Sequence, residues 1–439
     1  MKYLKIIVIL FFTAIFTNGC NYTTSKEPLS IYYLNFKPEV ANVWRTLAQD
    51  YEKETGIKVN VLTVANGNYE QRLKEEIAKR EAPTLFHING PIGYSKWKNY
   101  CLDLKDTNLY QWLLDKELAI KTEDGVYGIP YVVEGYGIIY NDAIMKKYFS
   151  LSKKAVSISD IKEINSFDKL KELVEDMTIH KEELGIKGVF ASTSFSSGED
   201  WRWQTHLANL PIYFEFTDKN ISDSDILDFT YANNFKNIFD LYTHYSCTKP
   251  KELAKKTVMD SMKEFALEEV AMVQNGNWAW TQISEVAGCK VLEENVHYLP
   301  IYMDMPEEEN QGLCIGTANY LCVNSMSKEE EQKAAINFME WVYSSDIGKD
   351  YVTNKLNFIS PFNTFSEEER PKNPLAQEVI NDMSNKNTYS IEWIFPAFPS
   401  QKFKDNFGNT LLQYAKEECT WEEVVEFVKT EWASQKAAE

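Results

Sequence analysis

Residues 127–140 read YGIPYVVEGYGIIY. The run is dense in β-branched and aromatic residues, the composition of a buried strand. Gly128, Gly135 and Gly137 punctuate it, and Glu134 is an isolated carboxylate in an otherwise apolar setting. Glycine inside a strand lets a ligand or a neighbouring backbone come close. A buried carboxylate needs partners. The stretch is expected to cross between two lobes, and the rest of the chain is read around that crossing.

Upstream, strands and helices alternate. Residues 30–36 (SIYYLNF) are β-rich. Pro38 opens a helical stretch with Val40, Val43, Leu47 and Tyr51 at helical spacing, and Gly56 stops it. Residues 57–64 (IKVNVLTV) alternate as a strand, Asn66-Gly67-Asn68 turn, 69–80 form a helix and 84–88 a short strand. This alternation predicts βαβ units and a mainly parallel sheet. Ligands of such sheets sit outside the carboxyl ends of the strands. Asn35, Asn66, Asn68 and Asn89 fall at that edge; each alone reads as a turn residue, and one or two of them are expected to touch ligand.

Downstream, residues 159–240 are helix-rich, with an aromatic patch at 201–216. Residues 270–273 (VAMV) form a strand, and Gln274-Asn275-Gly276 turn. Residues 328–343 form an amphipathic helix with Ala334, Ala335, Phe338, Met339 and Val342 on one side. Acidic helices close the chain, including 420–432. A chain of 439 residues exceeds what one core usually serves. With no linker rich in Pro, Gly or Ser, the two lobes are expected to be interleaved.

The first residues read as a secretory signal: Lys2 and Lys5, an apolar run over 6–16 broken only by Thr13, then Gly19-Cys20. The run is too short to span a bilayer, which takes about 20 residues. Gly19-Cys20 resembles the lipobox of bacterial lipoproteins, with Thr17 and Asn18 departing from its usual residues, and Cys20 is the expected lipidated N-terminus. The alternative is an ordinary signal peptide cut nearby. Residues 20–28 read as a tether. The net charge is −19, and loss of Lys2 and Lys5 with the signal leaves −21. That opposes binding to nucleic acid or to an anionic membrane surface. The other six cysteines form no CxxC and no metal-spaced cluster with histidine, and no cofactor is implied.

Six segments in order along the chain carry a family resemblance: YEKETGIKVNV from Tyr51, residues 126–141, AMVQNGNWAW from Ala271, YLPIYMDMP from Tyr298, the long segment 316–352, and NFISPFNTF from Asn357. Together they resemble the extracellular solute-binding proteins of carbohydrate ABC importers, the maltose-binding-protein-like family 1. The resemblance implies a two-lobed periplasmic-binding-protein-like α/β fold. Each lobe is a mainly parallel sheet flanked by helices, and crossing hinge strands join them. Expected boundaries are a signal peptide at 1–19, the tether at 20–28, an N-terminal lobe from 29–140 with 285–343, and a C-terminal lobe from 141–284 with 344–439. It also implies capture of a sugar, an oligosaccharide above all, by a monomer at the outer face of the cell membrane, and delivery to ABC permease subunits. Permease and ATPase are separate chains, and this one has no phosphate-binding GxxxxGK[ST] loop.

A sugar presents apolar C–H faces and a hydroxyl edge, so its cleft calls for Trp or Tyr platforms rimmed by polar side chains. Trp278 and Trp280 are first choice, read as alternating on one strand face, with core packing as the alternative. Glu134 and Tyr136 follow, Glu134 meeting either sugar hydroxyls or a core Arg or backbone amides. Trp201 and Trp203 with Asp200 and Arg202 form a second cluster, equally readable as packing. Asn319 and Tyr320 resemble the family's cleft loop. Trp393, beside Glu392, would close the cleft from the second lobe or pack. A glycosidase would need two converging carboxylates, for which Glu134, Asp200 and Glu392 are the candidates; no GxSxG or HExxH is present. A binding protein for a non-sugar solute and a receptor feeding a sensor kinase remain as further alternatives.

Overall fold

The structure is a computed structural model that describes residues 28–64, 66–192, 194–317 and 319–438. The signal segment, Cys20 and nearly all of the tether lie outside the described residues. Twelve strands are used below: β1 Ser30–Asn35, β2 Lys58–Thr63, β3 Leu85–Ile88, β4 Ile120–Lys121, β5 Val126–Pro130, β6 Glu134–Asn141, β7 Gly188–Phe190, β8 Val270–Gly276, β9 Val296–Leu299, β10 Gln311–Gly316, β11 Tyr320–Val323 and β12 Tyr389–Glu392.

They form two sheets. The first runs β2-β1-β3-β11-β5-β4, and the second β12-β10-β6-β8-β7 with β9 also on β6. β1 is parallel to β2 with Ser30 opposite Lys58, and parallel to β3. Helices cover the first sheet, so Ile31, Tyr33 and Leu34 are all buried and β1 reads as a continuous apolar run. Helix Ala41–Thr55 buries Trp44, Leu47, Ala48 and Tyr51, and helix Glu329–Ser344 buries the five apolar residues expected of it. Parallel pairing is less general than expected. β11 is antiparallel to β3 and β5, and β6 is antiparallel to β8, β9 and β10. These are the strands next to the crossings, where the chain returns with reversed direction.

The chain passes from the first lobe to the second between Pro130 and Glu134, back between Gly316 and Tyr320, and over again between Glu369 and Asn373. Val133 N–H donates to Ile359 O at 2.8 Å, tying the first crossing to the chain on its way to the third. The expected lobe boundaries therefore move. β6, expected in the N-terminal lobe, is a central strand of the second sheet, and β9 and β10 within 285–316 belong to that sheet too. Tyr351, Val352, Phe358 and Phe362, expected in the C-terminal lobe, pack in the core of the first. The reason is physical: all eight residues of β6 are buried, and the apolar run continues through the crossing. No change of polarity marks where one lobe ends. A Cβ on Gly137 would lie 2.6 Å from Leu299 O, so that glycine admits β9 rather than a ligand. Among the described residues no helix is long and apolar enough to cross a membrane, and the six described cysteines are free.

Candidate ligand-binding site

The site forms where β1 of the first lobe, β6 and β8 of the second, and three connecting turns come together. β1 ends at Asn35, which is fully buried. Its Nδ2 donates to Lys37 O (3.2 Å) and Thr63 Oγ1 (3.1 Å), and its Oδ1 accepts from Lys37 N (3.4 Å). Asn35 thus shapes the turn that delivers Lys37, as a turn residue does. Lys37 Nζ lies 2.7 Å from Glu134 Oε1 and 3.7 Å from Glu39 Oε1, with the rings of Phe36, Phe358 and Trp278 within 6 Å. Burial would lower the Lys37 pKa, but Glu134 and Glu39 outweigh it and hold it up. Glu134 is the first residue after the crossing, so this buried ion pair joins the two lobes. Its partner is a lysine from the other lobe, not the core arginine or backbone amides considered above.

Opposite stands an aromatic wall of the second lobe. Residues Arg202–Leu207 form a π-helical turn, a rare geometry frequent at functional sites. His206 from this turn stacks flat on Tyr136 (4.3 Å, 5°) and on Phe395 (5.2 Å, 11°), and Tyr136 Oη donates to His206 O at 2.8 Å. Trp201 lies 4.6 Å from the His206 ring and 5.9 Å from Trp278, and Trp393 lies 4.9 Å from Phe395. The Arg202 guanidinium rests on the Trp201 ring at 3.9 Å. Burial, with Arg202 and Lys404 adding to it, holds the His206 pKa well below its ordinary value, so the ring is neutral.

Several expected residues fall elsewhere. Trp203 is 1% exposed and packs on Phe195, Phe239 and Tyr242 in the second lobe's core. Trp280 parts from Trp278 because the strand ends at Gly276 and helix Ala279–Ser284 follows. Two helical positions lie about 200° apart, so Trp278 packs toward the aromatic wall and Trp280 toward the cluster around Val273 and Ile283. Tyr136 is fully buried behind His206. Tyr320 lies within β11 in the first lobe's core, and half-buried Asn319 is in the second crossing. Asn66 begins helix Asn66–Ile77, while Asn68 and Asn89 are exposed. Trp278, Trp201, Trp393 and Glu134 do come together. Lys37, His206, Phe395 and Lys404 were not foreseen. Lys37 had one signal, a lysine between the end of a strand and a helix-opening proline; His206 and Phe395 stand close to Trp201 and Trp393 but were not singled out, and Lys404 lies outside every candidate segment.

Asp200, beside this wall, is 8% exposed, and burial raises its pKa to about 6, with Asp405 adding to the shift. Its folded pKa exceeds its unfolded value, so the folded state binds the proton more tightly. Stability is therefore lost as pH rises from about 4 to about 6, on the order of 3 kcal/mol in all. Asp200→Asn is expected to remove this slope, seen as a flatter melting temperature between pH 4 and 7; an unchanged slope would assign it to other groups.

Residues 46–378 match the model of the family described as bacterial extracellular solute-binding protein. The chain belongs to the bacterial extracellular solute-binding proteins. It is 31% identical over 129 residues to the melibiose/raffinose/stachyose-binding protein MelE of Bacillus subtilis. That match spans 28% of this chain and 30% of MelE, so the chain covers about a third of its curated relative. Among solved structures, a chitin oligosaccharide binding protein superposes with a TM-score of 0.71 at 16% identity, covering 93% of this chain and 99% of that one. A sugar transporter protein of Bacillus licheniformis in complex with stachyose gives 0.67 at 18% identity, with coverage of 92% and 100%. The two-lobed α/β architecture of this solute-binding protein is thus that of its relatives.

Proposed function

We propose that this solute-binding protein captures an oligosaccharide between its lobes and hands it to an ABC permease, from a lipid anchor at Cys20. The observation that carries the reading is the wall of Trp278, Trp201, Trp393 and Phe395, which meets Lys37 of the first lobe at Trp278, 5.9 Å from the Lys37 Nζ that pairs with Glu134. Aromatic faces suit the C–H surfaces of sugar rings, and buried polar groups suit their hydroxyls. Relatives that bind melibiose, raffinose, stachyose and chito-oligosaccharides support the same ligand class. Binding without turnover is the reading for the carboxylates too. Glu134 is held by Lys37, Asp200 is pressed against helix Gln401–Ala415 at Gly408, and Glu392 is exposed, so the three stand in separate surroundings.

A thermal-shift screen over raffinose, stachyose and chito-oligosaccharides is the direct test, since a ligand of the native state raises its melting temperature. Trp278→Ala is expected to weaken the best ligand about 10-fold by titration calorimetry. Unchanged affinity would move the platform elsewhere, and release of reducing sugar would point to an enzyme. Cys20→Ala is expected to shift the protein from the membrane fraction to the medium.

A further inference from the structure

The wall holds a charge that the protein itself leaves uncompensated. Arg202 is 1% exposed, yet Nε, Nη1 and Nη2 all lack a hydrogen-bond partner among the described residues. The residue is fixed in place from behind: its backbone O accepts from Gln274 Nε2 at 3.0 Å, and its guanidinium lies on Trp201. Lys404, on helix Gln401–Ala415 packed against the same turn, is 7% exposed and makes no ion pair among the described residues. Both charges act on His206 between them. Among the described residues the acids that face this pair are Glu199 toward Arg202, and Glu70 and Asp405 toward Lys404, and none forms an ion pair with either cation. Glu199 Oε2 is already taken by the N–H of Val258.

The contrast lies within the same junction. Lys37 is as deeply buried, and there the chain supplies Glu134 and Glu39. A buried cation without a counter-charge is strongly unfavourable, so leaving Arg202 and Lys404 without one is consistent with a partner that arrives from outside. The other unmet polar atoms of the wall fit that partner: Trp393 Nε1 is a donor, and His206 Nδ1 can serve as one. Neutral hydroxyls would satisfy the donors but bring no charge. A carboxylate matches the guanidinium fork with two parallel hydrogen bonds.

We propose that the captured saccharide is acidic, with a carboxylate or sulfate received by Arg202 and Lys404 against the Trp201 face. This rests on the saccharide reading above and narrows its ligand class. The test is calorimetry on the full soluble chain with trisaccharides of galacturonate, glucuronate and mannuronate, each beside its methyl ester, plus one sulfated and one neutral trisaccharide. The ester keeps the skeleton and removes the charge. At least one acid is expected to bind 100-fold or more tighter than its ester, and the sulfated arm separates the two anionic groups. Arg202→Met is expected to bring acid and ester within about threefold of each other. The same variant is expected to melt a few degrees higher without ligand, because an unpaired buried charge is gone; a structural arginine would do the reverse. Lys404→Met gives an intermediate loss, and Arg202→Lys keeps part of the preference. Equal binding of acid and ester, a parallel loss of both in Arg202→Met, or binding of the neutral trisaccharide alone would overturn the inference. Binding of no saccharide in any arm would instead count against the saccharide reading itself.

Discussion

Replacing Lys37 by methionine is expected to lower the melting temperature of the unliganded protein by roughly 10 °C. The change removes the partner 2.7 Å from Glu134 and leaves that carboxylate 5% exposed with no other side-chain partner among the described residues. Removing one member of a buried ion pair costs about 3–5 kcal/mol, because the remaining charge stays desolvated. The double variant Lys37→Met with Glu134→Gln is expected to recover most of that loss. Glu134→Gln alone is milder, since Glu39 still lies 3.7 Å from Lys37 Nζ. A thermal-melt double-mutant cycle reads the coupling directly. Additive losses would mean that the two side chains do not sense one another, and the lobe-joining role would fall.

Gly90→Ala is expected to weaken ligand binding about 10- to 100-fold, and to abolish the decrease in radius that we expect small-angle scattering to show when the unsubstituted protein closes its lobes on ligand. Gly90 opens helix Gly90–Trp97 in the first lobe, and Pro396 stands in the turn Phe395–Ala397 of the second. A Cβ on Gly90 would sit 2.6 Å from Pro396 Cγ and 2.7 Å from Pro396 Cβ, and the proline ring cannot swing aside. Such overpacking costs about 1–3 kcal/mol, felt only when the lobes meet. The residue also has φ +62°, which costs a further ~1–2 kcal/mol in every folded form. The two effects separate: Pro396→Gly added to Gly90→Ala, which removes both clashing ring carbons, should restore affinity while the melting temperature stays low. Full affinity in Gly90→Ala alone would mean the lobes bind ligand without this approach.

Much of the architecture is legible in the sequence because it depends on local periodicity. Helix Glu329–Ser344 buries the stripe its spacing predicts, and β1 through β3 follow the alternation of strand and helix. The lobe boundary is not legible, because Val126–Pro130 and Glu134–Asn141 are equally apolar and both end up buried. Trp278, a candidate from its place after a strand, packs toward the aromatic wall. Trp280 is misread because the period changes from strand to helix between Gly276 and Ala279. Lys404 carries no local signal, and His206 only its place in the aromatic patch at 201–216. They meet only because helix Gln401–Ala415 returns, almost 200 residues later, to the turn at Arg202–Leu207.

The three passages of the chain between lobes also bear on how such a protein changes over generations. Residues 30–130, 320–323 and most of 329–369 build one half, and 134–316 with 374–436 build the other. No single cut in the gene separates the halves, so one recombination event cannot exchange a whole half for that of a relative. New specificity must arise by point substitution within the junction, at positions such as Trp278, Arg202 and Lys404, with both halves inherited together.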